Sequence, residues 1–140
     1  MRFKKLTPTA ITPARGTPGA AGLDLYSDEK VLLLSGNVTM VRTGIAVEIP
    51  EGYVGLVFVR SSLGKAGVAL ANSVGVIDSD YRGEILLAMV YTSSFGGQYI
   101  REGDRIAQLV VIPAPLFELQ EVDELSETKR GEGGFGSTGK

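Results

Sequence analysis

Apolar residues along this chain come in short runs cut by glycine and proline, and few stretches are long enough to carry the 3.6-residue period of an amphipathic helix. That pattern predicts an all-β sandwich or barrel of short strands. Strands are predicted at Val31 to Leu34, Thr39 to Ile49, Tyr53 to Val59, Glu84 to Tyr91, Ile106 to Ile112 and Phe117 to Val122, with shorter ones at Val68 to Leu70 and Gly75 to Ile77. Ile45, Val47 and Ile49 alternate with Ala46 and Glu48, as a half-buried strand should, before Pro50-Glu51-Gly52 turns the chain. Ile85 to Val90 does not alternate, which predicts a strand covered on both faces, either deep in a sandwich or against another subunit. Ser61 to Ala66 is the one short helical turn predicted, and neither an internal repeat nor an interdomain linker is evident.

Composition narrows the chemistry. A chain of 140 residues, 44% of them apolar, is of single-domain length and can build a core without staples. It has no Cys and no His, so thiol nucleophiles, disulfides, Cys/His zinc sites and an imidazole base are excluded. Catalysis is left to carboxylates, hydroxyls, Arg, Lys, Tyr or a hard metal. With 14 Lys plus Arg against 16 Asp plus Glu, the net charge of −2 offers no global attraction to nucleic acid or anionic membrane. No stable nucleic-acid binding is expected, and an anionic ligand must be gripped by local charge. No signal-like or bilayer-length apolar segment is present, so the expectation is a soluble, intracellular, cytoplasmic protein without membrane contact.

Five polar stretches stand out. Arg60-Ser61-Ser62 with Gly64-Lys65-Ala66-Gly67 follows an apolar strand and suits either an anion-binding turn or a plain surface turn; it lacks Walker A spacing. Asn72 to Glu84 crowds Asp78, Asp80, Tyr81 and Glu84 between two strands: an ionised carboxylate there can take a proton from water, or the stretch is a solvated acidic turn. Gly103 to Gln108 reads as a phosphate-facing turn or a hairpin with a surface ion pair. Gly131 to Lys140, with Phe135 its one large apolar side chain, cannot fold alone and reads as a mobile arm or a frayed terminus. Asp24, in Ala21 to Ser27, is a magnesium-type carboxylate or an ordinary surface group. An Arg, an aromatic ring and hydroxyls interleaved with glycines suit a triphosphate carrying a base.

In order and approximate spacing these stretches resemble the five motifs of the homotrimeric deoxyuridine triphosphatases: Ala21 to Ser27, Arg60 to Gly67, Asn72 to Glu84, Gly103 to Gln108 and Arg130 to Gly139. The resemblance implies a distorted β jelly roll over residues 1 to 129, with residues 130 to 140 as an arm closing the active site. It implies a homotrimer whose sites are shared between subunits, which would give Ile85 to Val90 a covering partner. The implied reaction is Mg²⁺-dependent hydrolysis of dUTP to dUMP and pyrophosphate, limiting uracil in DNA and supplying dUMP for dTMP synthesis.

By the same resemblance Asp78 is the catalytic carboxylate that activates water for attack on the α-phosphorus, and Asp24 reaches Mg²⁺ through water. Arg60, Ser61, Ser62, Gly64 and Gln108 would hold phosphates. Asn72, with Gly75, Val76 and Ile77 of its hairpin, would read uracil, and Tyr81 would pack on deoxyribose and leave no room for a 2′-hydroxyl. Arg130, Gly136, Ser137 and Thr138 would engage the outer phosphates while Phe135 stacks on the base. Asp80, Arg82, Glu84, Asp104 and Arg105 are read as ion-pairing or turn residues. Deoxycytidine triphosphate deaminases share the fold but lack the combination of Asp78, Tyr81 and a Phe-bearing arm. A nucleotide-gated regulatory binder of the same fold is the alternative from another class.

Overall fold

The computed structural model describes residues 1–134. Among them lie ten strands and one short helix. One sheet has the order β1 (Arg2–Lys5), β4 (Val38–Glu48), β8 (Glu84–Tyr91), β6 (Val68–Leu70), and a second the order β2 (Leu23–Tyr26), β10 (Arg105–Pro113), β5 (Tyr53–Val59), β7 (Gly75–Ile77). A two-stranded ribbon pairs β3 (Val31–Leu34) with β9 (Gly97–Ile100), and α1 (Ser61–Lys65) follows β5. All named pairings are antiparallel, and chain neighbours such as β5 and β6 lie in different sheets, as in a jelly roll. Leu25, Leu33, Val41, Ile45, Val57, Ile85, Met89, Ile100, Ile106 and Leu109 fill the space between the layers. Each such side chain contributes about 1.5–3 kcal/mol by leaving water.

Gly44 shows how tightly the fold is closed. It sits in the bulge of β4 at φ +64°, and a Cβ there would stand 2.7 Å from both Ala10 Cβ and Asp28 Oδ2. Only glycine combines that dihedral with that lack of space. The same Asp28 accepts hydrogen bonds from Thr7 (2.6 Å) and Thr9 (2.8 Å), fastening the N-terminal segment over the bulge.

The predicted strands from Val31 to Ile112 all form, with ends shifted by at most a residue or so. Phe117 to Val122 does not: the chain leaves the sheet after Pro113, and Phe117 and Leu119 are 82% and 101% exposed. Strand propensity expresses how a side chain fits a pleated surface, and this segment has no neighbouring strand in its own chain to supply one. β1 and β9 were not predicted, because Arg2–Lys5 and Gly97–Ile100 carry too few apolar residues to show a period. The run at 85–90 is covered on one face only: Ile85, Leu87 and Met89 point inward, while Leu86 is 45% exposed beside the equally open Val38 and Met40 of β4. Burial on both faces inside one chain is thus corrected, and the sheet keeps a bare apolar outer face.

Candidate active site

β10 lies between β2 and β5, so residues far apart in sequence meet at one end of the second sheet. Asp24 on β2 stands directly opposite Gln108 on β10, and the backbone N–H of Arg60, one residue beyond β5, donates to the Ile106 carbonyl at 3.3 Å. The Asp24 carboxylate is 2% exposed and draws three side chains together: it forms an ion pair with Arg60 Nε at 3.2 Å and accepts from Arg105 Nη1 at 3.4 Å and Gln108 Nε2 at 3.3 Å. A carboxylate taken out of water needs such partners. One negative charge faces two guanidinium groups, which leaves the cluster net positive and oriented toward an anion. Ser61 and Ser62 form the exposed first turn of α1 beside Arg60. Gly64 lies inside that helix, and its N–H is engaged by the Arg60 carbonyl at 2.9 Å.

The second cluster is the connection from β6 to β8. Asn72 is exposed in a turn where Ser73 takes φ +62°, a left-handed conformation uncommon for a residue with a side chain. Gly75, Val76 and Ile77 form β7, Asp78 is exposed at its end, and the N–H of Tyr81 closes a turn on the Asp78 carbonyl at 3.2 Å. The Tyr81 hydroxyl donates to the Glu84 carbonyl at 3.0 Å, so the ring lies across Gly83, where any Cβ would collide with the phenol. Val76, Ile77, Asp78 and Tyr81 line a cleft of about 300 Å³ whose floor is Met40 and Leu86.

Within one chain these clusters stand apart. Ile77 pairs with Gly55, five residues before Arg60 on the same strand. At about 3.3 Å per residue that is roughly 16 Å, and Asp78 lies one residue farther away. Arg130, at the far end of the irregular C-terminal segment, donates from Nε to the Gly133 carbonyl at 2.7 Å and touches neither cluster. Phe135, Gly136, Ser137 and Thr138 lie outside the described residues.

Four residues join the picture that sequence reasoning left out of the site. Arg105, read as an ion-pairing residue, does pair, and its partner is Asp24. Gly83 makes room for the Tyr81 ring. Leu86 carried a signal in the unalternating run, whereas nothing in the sequence marked Met40. Among the described residues no group of three or more acidic side chains is arranged to hold a metal. A single buried carboxylate, Asp24, still suits Mg²⁺, which takes one or two carboxylates and fills its remaining positions with water and substrate phosphates. Among the same residues no helix is long and apolar enough to cross a membrane.

Comparison with known proteins agrees with this arrangement. The dUTPase family model matches residues 9–139. The deoxyuridine 5′-triphosphate nucleotidohydrolase of Desulfitobacterium hafniense is 50% identical over 131 residues, covering 91% of this chain and 86% of that protein. Its counterpart in Nautilia profundicola is 45% identical and covers 100% of this chain and 99% of its own. Among solved structures, a mutant dUTPase of phage 80alpha superposes with a TM-score of 0.91 at 31% identity, covering 97% and 96% of the two chains. The dUTPase of Staphylococcus bacteriophage 80alpha solved with dUPNHPP gives 0.89 at 32% identity, covering 99% and 97%. Matched along nearly its whole length by the family model and by relatives at 45% and 50% identity, this chain belongs to the dUTPase family, the enzymes that hydrolyse dUTP to dUMP and pyrophosphate.

Proposed function

We propose that this chain hydrolyses dUTP in sites shared between the subunits of a homotrimer, with the phosphate cluster of one copy facing the Asp78 loop of another and the C-terminal arm of residues 130–140 closing over both. The observation that carries this is the separation of Arg60 from Asp78 along β5. A guanidinium gripping the phosphate chain and a carboxylate holding the attacking water have to converge on one triphosphate, and reacting atoms need about 3–3.5 Å. A single chain does not bring them that close; two copies can. The bare faces of β4 and β8 and the unpaired Phe117 and Leu119 support the same assembly.

In this reading Asp78 orients water on the α-phosphorus and accepts its proton. Arg60, Ser61, Ser62 and Gln108 hold the phosphates, and Gly64 shapes the turn beneath them rather than binding through its N–H. Asp24 fixes the guanidinium of Arg60 and the amide of Gln108, and it would hold Mg²⁺ through water beside the substrate phosphates. When bound, Mg²⁺ supplies charge neutralisation along the phosphates and at the leaving pyrophosphate. A structural Mg(II) ion is described for the dUTPase of phage phi11, whose mutant structure is 30% identical to this chain with a TM-score of 0.81. Asn72 and the Gly75, Val76 and Ile77 strand read uracil, and the Tyr81 ring excludes a 2′-hydroxyl. Arg130, Gly136, Ser137 and Thr138 engage the outer phosphates while Phe135 covers the base. A cytoplasmic location accords with a substrate drawn from the precursors of DNA.

Mixed assemblies test the shared site. Arg60→Ala and Asp78→Asn chains, each inactive alone, are expected to regain pyrophosphate release when unfolded together and refolded. Random mixing restores about a quarter of the sites if Arg60 and Asp78 come from different copies. No recovery in trimers verified to contain both chains overturns the sharing.

A further inference from the structure

The loop that carries Asp78 and Tyr81 has little of its own to hold it. It crosses the surface between β7 and β8, and its side chains at 78, 80, 81 and 82 are exposed. Its internal bonds are the turn from the Tyr81 N–H to the Asp78 carbonyl and the Tyr81 hydroxyl bond to Glu84. One further side chain of the loop braces it and reaches out to a neighbouring strand. Arg82 folds back so that Nη1 donates to the carbonyls of Ser79 (2.7 Å) and Tyr81 (2.8 Å), bridging the two sides of the turn. Its other terminal nitrogen lies 3.9 Å from Glu48 Oε1 at the end of β4. Glu48 in turn accepts from Arg2 Nη2 at 2.5 Å, its register partner on β1. The residues Arg2, Glu48, Ser79 and Arg82 wall an open cleft of about 590 Å³.

We infer that Arg82 is a positioning residue for catalysis, a clamp that holds the Asp78–Tyr81 loop in register and is itself aimed by Glu48 at the end of β4. This rests on the roles proposed above for Asp78 and Tyr81. The magnitudes decide which contacts matter. The Arg2 and Arg82 side chains are 82% and 55% exposed, so as ion pairs their contacts with Glu48 are worth little. The two charge-assisted bonds to backbone carbonyls are stronger, and they act on the segment that positions the attacking water. The hydrogen bond from Arg2 draws the Glu48 carboxyl below its usual range, with Arg82 adding to the effect. Glu48 contributes direction: the carboxylate at one end of the guanidinium leaves the other end facing the loop.

A clamp differs from a substrate contact in what its loss changes. A contact made to the phosphates equally in ground and transition states moves KM, and its loss leaves the choice of sugar alone. A clamp moves Asp78 and Tyr81 together, so turnover and sugar discrimination fall in step. Displacement by a fraction of an ångström is enough, since misplacement of about 1 Å can cost 10²-fold.

Steady-state kinetics with dUTP and UTP, alongside thermal unfolding, test this on the full chain. For Arg82→Ala we expect kcat for dUTP to fall on the order of tenfold with KM little changed, and the dUTP-over-UTP preference to fall several-fold. Arg82→Lys, a point donor without a fork, should recover part of both losses. Glu48→Gln should shift both readouts the same way but less, and adding it to Arg82→Ala should cost nothing more, as for residues acting through one another. A folded Arg82→Ala enzyme with unchanged kcat and selectivity overturns the clamp, as does multiplication of the two effects in the double variant. Should Arg82→Ala fail to fold, Glu48→Gln with unaltered selectivity overturns it instead. Asp78→Asn and Tyr81→Ala serve as controls: if neither changes its own readout, the underlying roles fail, whatever Arg82 does.

Discussion

The two halves of the site are built on opposite principles. The Asp24 cluster is centred on the interior: a carboxylate at 2% exposure gathers Arg60, just past β5, with Arg105 and Gln108 of β10, and the sheet register fixes all of them within one chain. The Asp78–Tyr81 loop is exterior: both residues sit on a surface turn held by a few hydrogen bonds and by Arg82. A buried charge network tolerates little change but stays organised without substrate. A surface loop is adjustable, and its geometry is completed by whatever packs against it. In the function proposed above, a highly charged triphosphate is met by prearranged charge, while the base and sugar are read by elements that can close on them.

The contrast is sharpest at Asp24. Asp24→Ala should destabilise the fold by about 2 kcal/mol and raise KM for dUTP, since it strands two guanidinium groups; the usual 3–5 kcal/mol for breaking a buried pair is reduced because the Arg105 side chain is 49% exposed. Denaturant unfolding together with kinetics measures both. An unchanged stability would mean that the cluster is no more integral to the fold than the loop.

On the loop side, Tyr81→Ala should leave stability nearly unchanged and reduce the dUTP-over-UTP preference by about tenfold, read as the ratio of kcat/KM values. Equal damage to stability would erase the distinction between interior and exterior. The smallest effect is expected at Glu48. Its carboxyl is held below the usual 4.5, chiefly by the hydrogen bond from Arg2, so its contribution is fully present above that value and is lost as pH falls through the lowered one. The Tm difference between the unaltered chain and Glu48→Gln should therefore narrow in that acid range and stay flat from pH 5 to 8. A difference that widens on acidification has the wrong sign for this pairing.

How much of this was legible beforehand differs between the halves. The strands from Val31 to Ile112, β9 excepted, were written in the sequence because apolar runs bounded by Gly and Pro reflect local burial, which each segment carries with it. The motifs were legible for the same reason: Arg60-Ser61-Ser62 and Asn72 to Glu84 are continuous stretches whose chemistry is visible residue by residue. Phe117 to Val122 misled because its alternation describes a surface its own chain does not provide.

Composition and order alone determined that the protein is all-β, works without Cys or His, and carries a dUTPase's motifs. Only the folded chain decided that Asp24 is paired with Arg60, Arg105 and Gln108, that Arg60 and Asp78 lie at opposite ends of β5, and that Arg82 bridges the Asp78–Tyr81 loop. The physical reason is range. Periodicity and turn chemistry act over a few residues, whereas these relations are set by strand register between segments up to 84 residues apart, and no local pattern encodes which strands will be neighbours.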